Sequence, residues 1–353
     1  MTMGKAPAIV PLTLPFAAGV ALVEFAPLPP MMLQASLLVC SGLMGLALLK
    51  SRTGKILPPA LFFASGMLCA ALDSLAGTGI SLPGFITHSL QATCRLINSI
   101  PFAHDGTAAL LQALLTGNRE ALQPGITAVF RSSGASHLLA LSGMHLGIIY
   151  LLLGKVLMVL GRGRAGFAMQ SIITVCACSF YAVMTGASPS IIRALIFIIL
   201  NEWLKHSPQR KRDPAAVWCT AIMVQLMLSP AAIKSAGFQL SYLAMLGIFT
   251  LYPRLDAFYP EGKGPVRWMW KSMALSVSCQ VLTGPLAWLR FGTFPKYFLL
   301  TNLIAIPLTT LLMFCAVGCL LLYAFGICPG WMVWLTDYAA ELLQRSLSII
   351  SSM

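Results

Sequence analysis

The chain predicts an all-α, polytopic integral membrane bundle. Three observations carry this: 58% of the 353 residues are apolar, only 9% are charged, and the apolar residues gather into ten stretches near spanning length. Soluble domains carry about 25% charged residues, and a spanning helix needs about 20 apolar ones. A soluble enzyme is therefore excluded. The windows fall near 6 to 25, 31 to 49, 56 to 75, 136 to 160, 167 to 185, 190 to 204, 214 to 228, 237 to 252, 272 to 288 and 299 to 323.

Taken in order, the N-terminal run has one lysine, Lys5, just before the first window, and prolines at 7, 11 and 15 without a cleavage-type ending, so it reads as a retained, kinked span. With the next two windows it makes an N-terminal transmembrane region, 1–75. Residues 76–134 are too few for a separate domain with a sizeable core and read as external amphipathic helices. Asp105 is placed to cap a helix whose apolar positions Ala109, Leu110, Ala113 and Leu114 keep the 3.6 period, and Gly117 to close it. A second short helix is expected over Thr127 to Arg131, ending in the turn Ser132-Ser133-Gly134. Both are expected to lie over the outer mouth of the bundle. The remaining windows make a membrane domain over 135–353. Its last segment, Trp331 to Ile349, carries Asp337, Glu341 and Arg345 at spacings of four, a narrow polar stripe suited to an interfacial helix with an ordinary Glu341 to Arg345 ion pair.

The net charge of +13 arises from 23 basic against 10 acidic residues. It speaks only weakly for nucleic acid, because membrane proteins are basic for topological reasons. With the N-terminus cytoplasmic, one side of the membrane receives the basic groups of Lys50 to Lys55, Arg162 and Arg164, Lys205 to Arg212, and Arg254 to Lys271. The other side receives Arg95, Arg119, Arg131, Lys234, Arg290 and Lys296. Thirteen against six favours an N-in, multi-pass protein. Most of the ten cysteines, among them Cys40, Cys69, Cys176, Cys178, Cys315 and Cys319, sit inside apolar runs and read as buried thiols.

Polar chemistry intrudes at three places. The densest is Gly134-Ala-Ser-His-Leu-Leu-Ala-Leu-Ser-Gly-Met-His-Leu-Gly147. Ionisable groups at membrane depth normally face a bundle interior or a water-filled path. On a continuous helix His137 and His145 lie about 80° apart and Ser142 and His145 about 60° apart, so they share a face. Gly143 and Gly147 have the small-xxx-small spacing that admits a second helix backbone, and Ser142-Gly143 is also a candidate helix break. Interhelical hydrogen bonding by the two imidazoles explains the same pattern. The second place is Ala187-Ser-Pro-Ser-Ile-Ile-Arg-Ala194, where Pro189 suits a helix start and Ser190 and Arg193 follow. Arg193 either meets phosphate oxygens with its planar fork or snorkels to headgroups. The third is Gly237-Phe-Gln-Leu-Ser-Tyr-Leu-Ala-Met-Leu-Gly247, with Gln239, Ser241 and Tyr242. With Gln280, Thr283 and Asn302 it spreads uncharged polar groups over three helices, as hydration for a path or as interhelical glue.

Absences narrow the field. There is no G-x-x-x-x-G-K-[ST], no H-E-x-x-H, no His-x-His, no Cys-x-x-Cys and no dense Asp-His cluster in the sequence. Walker-type nucleotide hydrolysis, a zinc site and a two-metal nuclease centre are not encoded in any recognisable motif, so no cofactor and no metal are expected. A serine hydrolase built on Ser142 and His145 would need an orienting acid, and none is visible.

These stretches, together with Leu115-Thr-Gly-Asn-Arg119 and Asn302-Leu-Ile-Ala-Ile-Pro307, closely resemble the signature segments of the ComEC competence-protein family over roughly residues 105 to 325. The resemblance implies a membrane channel domain for incoming single-stranded DNA in a bacterial inner membrane, active in natural transformation. Typical members also carry an external OB-like domain, and many a metallo-β-lactamase-like nuclease domain; the resemblance here is to the channel core alone.

The expectation is a catalytically silent DNA path lined by His137, Ser142, Gly143, His145, Ser190, Arg193, Gln239, Ser241, Tyr242, Gln280 and Asn302, with Tyr242 and Tyr181 offering rings to bases. Expected partners are single-stranded DNA, membrane lipid, a cytoplasmic motor ATPase, and an external DNA receptor or nuclease in trans. The oligomeric state, a homo-oligomer included, stays open. Rival readings are a transporter of a small anion or lipid, a family member that has lost DNA transport, and an enzyme using His137, Ser142 and His145.

Overall fold

The computed structural model describes residues 9–26, 57–76, 84–160, 163–205, 213–259, 262, 264–292 and 296–353. The expected window 31–49, Cys40, Lys5, Arg162, Lys263, and the basic segments 50–55 and 206–212 with His206 lie outside the described residues. Every regular element among the described residues is helical. The division into two compact units falls within two of the helices.

The first unit is built from the described parts of Met1–Ser81 and Ile196–Met245. It contains α1 (Val10–Phe25) and α2 (Leu57–Ala76). Their backbones touch through glycine. A Cβ on Gly19 would lie 2.1 Å from the Phe63 carbonyl oxygen, and one on Gly66 would lie 2.2 Å from that of Phe16. This reciprocal approach is the means by which helices associate where no water drives them together.

The second unit holds the described parts of Leu82–Leu195 and Leu246–Met353. In chain order it contains α3 (Gly84–Ser99), α4 (Thr107–Thr116), α5 (Pro124–Ser132), α6 (Ser136–Leu139), α7 (Gly143–Val156) and α8 (Arg164–Met184). The first residues of α9 (Pro189–Lys205) belong here and its remainder to the first unit, which also holds α10 (Pro214–Leu228). The end of α11 (Ala236–Thr250) returns the chain to the second unit, followed by α12 (Tyr252–Asp256), α13 (Pro265–Phe291), α14 (Phe298–Ala324) and α15 (Gly330–Ser351). Leu110, Leu114, Phe130, Leu312, Met313 and Leu343 are fully buried at the centre of this unit.

Three helices are long and apolar enough to cross a membrane: Ala165–Met184, Pro265–Phe291 and Phe298–Ala324. The expected count of about ten is not confirmed: among the described residues three helices meet these criteria, beside shorter apolar helices such as α1, α10 and α11. At 1.5 Å per residue a 15-residue helix reaches only about 22 Å, short of the roughly 30 Å hydrocarbon core.

Four expectations change. The apolar window over 136 to 160 is not one helix but is broken where Ser142-Gly143 was a candidate break: α6 ends at Leu139, Ala140 is extended, and α7 begins at Gly143. Asp105 does not cap α4; Gly106 takes the cap position at φ +94°, while Gly117 at φ +78° closes the helix as expected. The helix is buried on nearly every side, Gln112 and Thr116 included, so it is a core element with no solvated face.

The fourth change concerns the C-terminal helix, which runs antiparallel along α14 and does not lie across one of its ends. The Tyr297 hydroxyl donates to the Met353 carbonyl at one end, and Gly318 meets Met332 at the other. The segment between α3 and α6 follows the same axis. Thr301, near the start of α14, donates to the Ser133 carbonyl at 2.6 Å, whereas Tyr323, near its end, donates to Ser99 at 2.7 Å. Those anchors are separated by about 33 Å of helix. The segment from Ser99 to Ser133 thus runs along α14 from one end to the other.

Candidate functional site

The site is assembled around the break between α6 and α7. Ending α6 at Leu139 frees its carbonyl, and an unmet carbonyl in an apolar layer is costly. Arg119 meets it: Nη2 donates to the Leu139 oxygen at 2.7 Å. Arg119 is placed by the Gly117 turn and by Asn118, whose Oδ1 accepts from the Glu120 N–H at 2.9 Å. A Cβ on Gly117 would strike Leu141 at 2.4 Å, so the turn also makes room for the broken strand of chain.

At the other lip of the break, Ser142 is the N-cap of α7. Its hydroxyl accepts from the Met144 N–H at 3.3 Å, and its own N–H donates to His145 Nδ1 at 3.2 Å. This is a capping box with histidine where glutamate or glutamine is usual. Because Nδ1 accepts, the proton of the neutral ring sits on Nε2. That nitrogen is buried and has no hydrogen-bond partner among the described residues. The Ser142 hydroxyl and Nδ1 are 3.1 Å apart, yet no acid stands at Nε2 to orient the ring as a hydrolase triad requires.

His137 does not share a continuous helix face with His145, since the break intervenes. It is exposed on α6, with Nδ1 3.2 Å from the Gly134 carbonyl, and remains within electrostatic range of His145. Gly143 and Gly147 also part company. A Cβ on Gly143 would lie 3.2 Å from Ala194 Cβ and 3.3 Å from Arg193 Nη2, whereas Gly147 has open space around it.

The Gly143 contact unites two of the sequence clusters, bringing Arg193 and the first turns of α9, with Ser190 one turn earlier, against the N-terminus of α7. The corner before α9 is strained. Ala187 has φ +48°, in the left-handed region that disfavours an L side chain. Arg193 also acts electrostatically on Cys279 of α13, next to Gln280. Gln280 faces an apolar groove with Val277, Val281, Trp288 and Phe298. Asn302 bridges from α14 to Ser276 of α13 at 3.4 Å, and its Oδ1 is buried without a partner among the described residues.

The third cluster splits. Gly247, in the second unit, packs so closely on α13 that a Cβ would lie 2.1 Å from the Ser278 carbonyl oxygen. Gln239, Ser241 and Tyr242 belong to the first unit. There Gln239 donates to the Ile233 carbonyl at 2.8 Å, Ser241 is half-buried, and Tyr242 donates to Gln225 Oε1 at 2.8 Å. The Tyr242 ring is buried against Phe238 and Trp218, and Tyr181 is buried with its hydroxyl on the Leu115 carbonyl. In this conformation neither ring offers a stacking face.

Sequence reasoning missed Arg119 as the support of the break, although its motif stood out. It also missed His104, which lies between Asp337 and Glu341 of α15. The Glu341 to Arg345 ion pair forms as expected.

An all-helical protein with helices fit to cross a membrane, and a broken polar helix packed against an arginine, defines the class. Within it, the chain belongs to the competence-protein family, whose model matches residues 114–353. It is similar to ComE operon protein 3 of Bacillus subtilis (strain 168), at 32% identity over 138 residues, 38% of this chain and 17% of that protein. Competence protein ComA of Neisseria gonorrhoeae is 30% identical over 208 residues, 56% and 28% of the respective chains. The uncharacterized protein YcaI of Escherichia coli (strain K12) is 27% identical over 208 residues, 57% and 27%. The matched stretches thus span between 17% and 28% of the length of these relatives. No solved structure matches.

Proposed function

We propose that this chain forms a membrane path for single-stranded DNA during natural transformation, with the α6–α7 break and Arg193 as the place where the backbone phosphates are met. Family membership supports the competence role. The observation that carries the site is the packing of Arg193 against Gly143 at the N-terminus of α7. Two groups suited to an anion lie together there, and a third stands in the same first turn of α7. The guanidinium presents a planar fork suited to two phosphate oxygens, the helix N-terminus adds its positive dipole end, and His145 Nε2 is a buried N–H with no acceptor among the described residues.

A conducting site must attract each phosphate and then release it. Arg193, with Arg119 held on the Leu139 carbonyl, among uncharged Ser142, Ser190, Gln280 and Asn302 meets that condition better than a wall of lysines. Lacking a nucleotide-hydrolysis motif, the chain takes direction from a cytoplasmic motor ATPase and receives its strand from an external receptor or nuclease. It sits in the bacterial inner membrane with the N-terminus inside.

A second reading draws on the same break: discontinuous helices whose N-termini face an anion are a device of small-solute transporters. Deleting the gene separates the two. The DNA reading expects transformation to be abolished while DNA still binds the outer cell surface; unimpaired transformation, with loss of uptake of a small anion, supports the transporter.

A further inference from the structure

We propose that His104, Asp337 and Glu341 form a proton-binding site that governs how the segment entering α4 is held against α15. The three residues build a carboxylate–imidazole–carboxylate bridge. Nδ1 of His104 lies 2.7 Å from Asp337 Oδ2, and Nε2 lies 3.1 Å from Glu341 Oε2. An ionised carboxylate only accepts hydrogen bonds, and an imidazole donates from both nitrogens only when doubly protonated. The bridge as built therefore holds one proton more than a neutral ring between two carboxylates.

The two arms differ in how firmly they are fixed. Besides the ring, Asp337 accepts from the Ala103 N–H at 3.0 Å, the His104 N–H at 3.2 Å and the Thr107 hydroxyl at 2.7 Å. It is 3% exposed and ties residues 103 to 107 to α15. Among the described residues Glu341 has one other partner, Arg345, whose guanidinium pairs with Oε1. When the ring gives a proton to water, its charge falls from +1 to zero. The remaining N–H stays with the fixed Asp337, and the bare Nε2 lone pair then faces a Glu341 oxygen at 3.1 Å. Two acceptors cannot share that contact, so Glu341 withdraws with Arg345 and one of the two arms is lost. Proton exchange runs through His104, whose side chain is 46% exposed against 4% for Asp337.

Among the described residues, few other charges lie on the elements packed against this bridge. Of the elements packed on α15, α4 and α14 carry no acidic or basic side chain, and α5 carries only Arg131; the further titratable groups of α14 are Cys315, Cys319 and Tyr323, with Cys328 in the turn before α15. Asp105 neighbours His104 along the chain. Histidine is the side chain whose charge ordinarily changes between pH 5 and 8, which sets the range to examine. The proposal does not depend on what the protein transports.

The test is hydrogen exchange of the purified full chain in lipid nanodiscs, without DNA, from pH 5 to pH 8, corrected for intrinsic exchange at each pH. Peptides over residues 97 to 108 should lose protection as pH rises. A peptide from the middle of α14 should stay unchanged. In Glu341→Gln the amide donates to a neutral ring, so protection should persist and its pH dependence vanish; His104→Gln should likewise be flat. Flat protection in the wild type, or the wild-type slope in Glu341→Gln, would overturn the proposal.

Discussion

Arg119 places a cation where a helix break has freed a carbonyl, and this single contact, 2.7 Å to Leu139, explains how an apolar segment tolerates the break at all. Hydrogen bonds to charged groups contribute about 1.5–3 kcal/mol. Arg119→Ala is accordingly expected to lower unfolding stability in detergent by about that amount, with Arg119→Lys in between; an unchanged unfolding midpoint for the alanine variant would show that the break is held by something else. His145 combines two roles, one visible and one proposed. Its Nδ1 completes the cap of α7, while Nε2 is offered to a phosphate. Glutamine separates them, because its side-chain oxygen can accept from the Ser142 N–H as in an ordinary capping box. His145→Gln should keep near-normal stability and membrane level yet lower transformation, whereas His145→Leu should also lose about 1 kcal/mol of cap energy. Normal transformation in the glutamine variant would leave His145 as a cap alone.

At the scale of helices, close backbone approach is where a single methyl decides the outcome. Gly247 and Gly147 both stand in apolar helices, but a Cβ on Gly247 would lie 2.1 Å from the Ser278 oxygen and one on Gly147 would meet nothing within 4 Å. Gly247→Ala should therefore destabilise the protein by about 1–3 kcal/mol through overpacking. Gly147→Ala should be neutral or stabilising by up to about 1 kcal/mol, from helix propensity. Thermal unfolding of the two variants side by side checks both, and equal effects would contradict the packing.

The same contrast shows what the sequence could reveal. Eight of the ten apolar windows coincide with described helices and a ninth, 136 to 160, is split between several, because periodicity and composition are local properties. The glycine spacing of 143 and 147 suggested one interface, yet only Gly143 is used: a Cβ there would meet Ala194 and Arg193, and one on Gly147 would meet nothing within 4 Å. Ser142 and His145 were legible as neighbours because they are three residues apart. His104 and Asp337, 233 residues apart in the chain, were not. Only the polar stripe on α15 hinted that a partner existed, and a stripe does not say which of five histidines will meet it.

For the whole molecule, the distribution of basic residues and the packing on α14 speak to different parts of the topology. The charge asymmetry expects residues 205–213 in the cytoplasm, so thiol labelling at Ser207→Cys should occur from inside only. The packing expects more than the charges do. Ser99 and Ser133 meet opposite ends of α14, so if α14 crosses the membrane, cysteines introduced at Ser99 and at the exposed Ser132 should label from opposite sides. Labelling of both from outside would restore α4 and α5 to the outer face and remove α14 from the list of spans.

The central claim, that DNA phosphates pass Arg193 beside the α7 break, is tested most directly by entry of labelled single-stranded DNA into the cytoplasm. The comparison is between cells whose only copy of the gene is wild type and cells carrying Arg193→Lys, at matched membrane levels and matched surface-bound DNA. The account predicts entry with the wild type and a reduction of at least about tenfold with lysine, since a point charge cannot reproduce the fork that bridges two oxygens. Equal entry with arginine and lysine would contradict it.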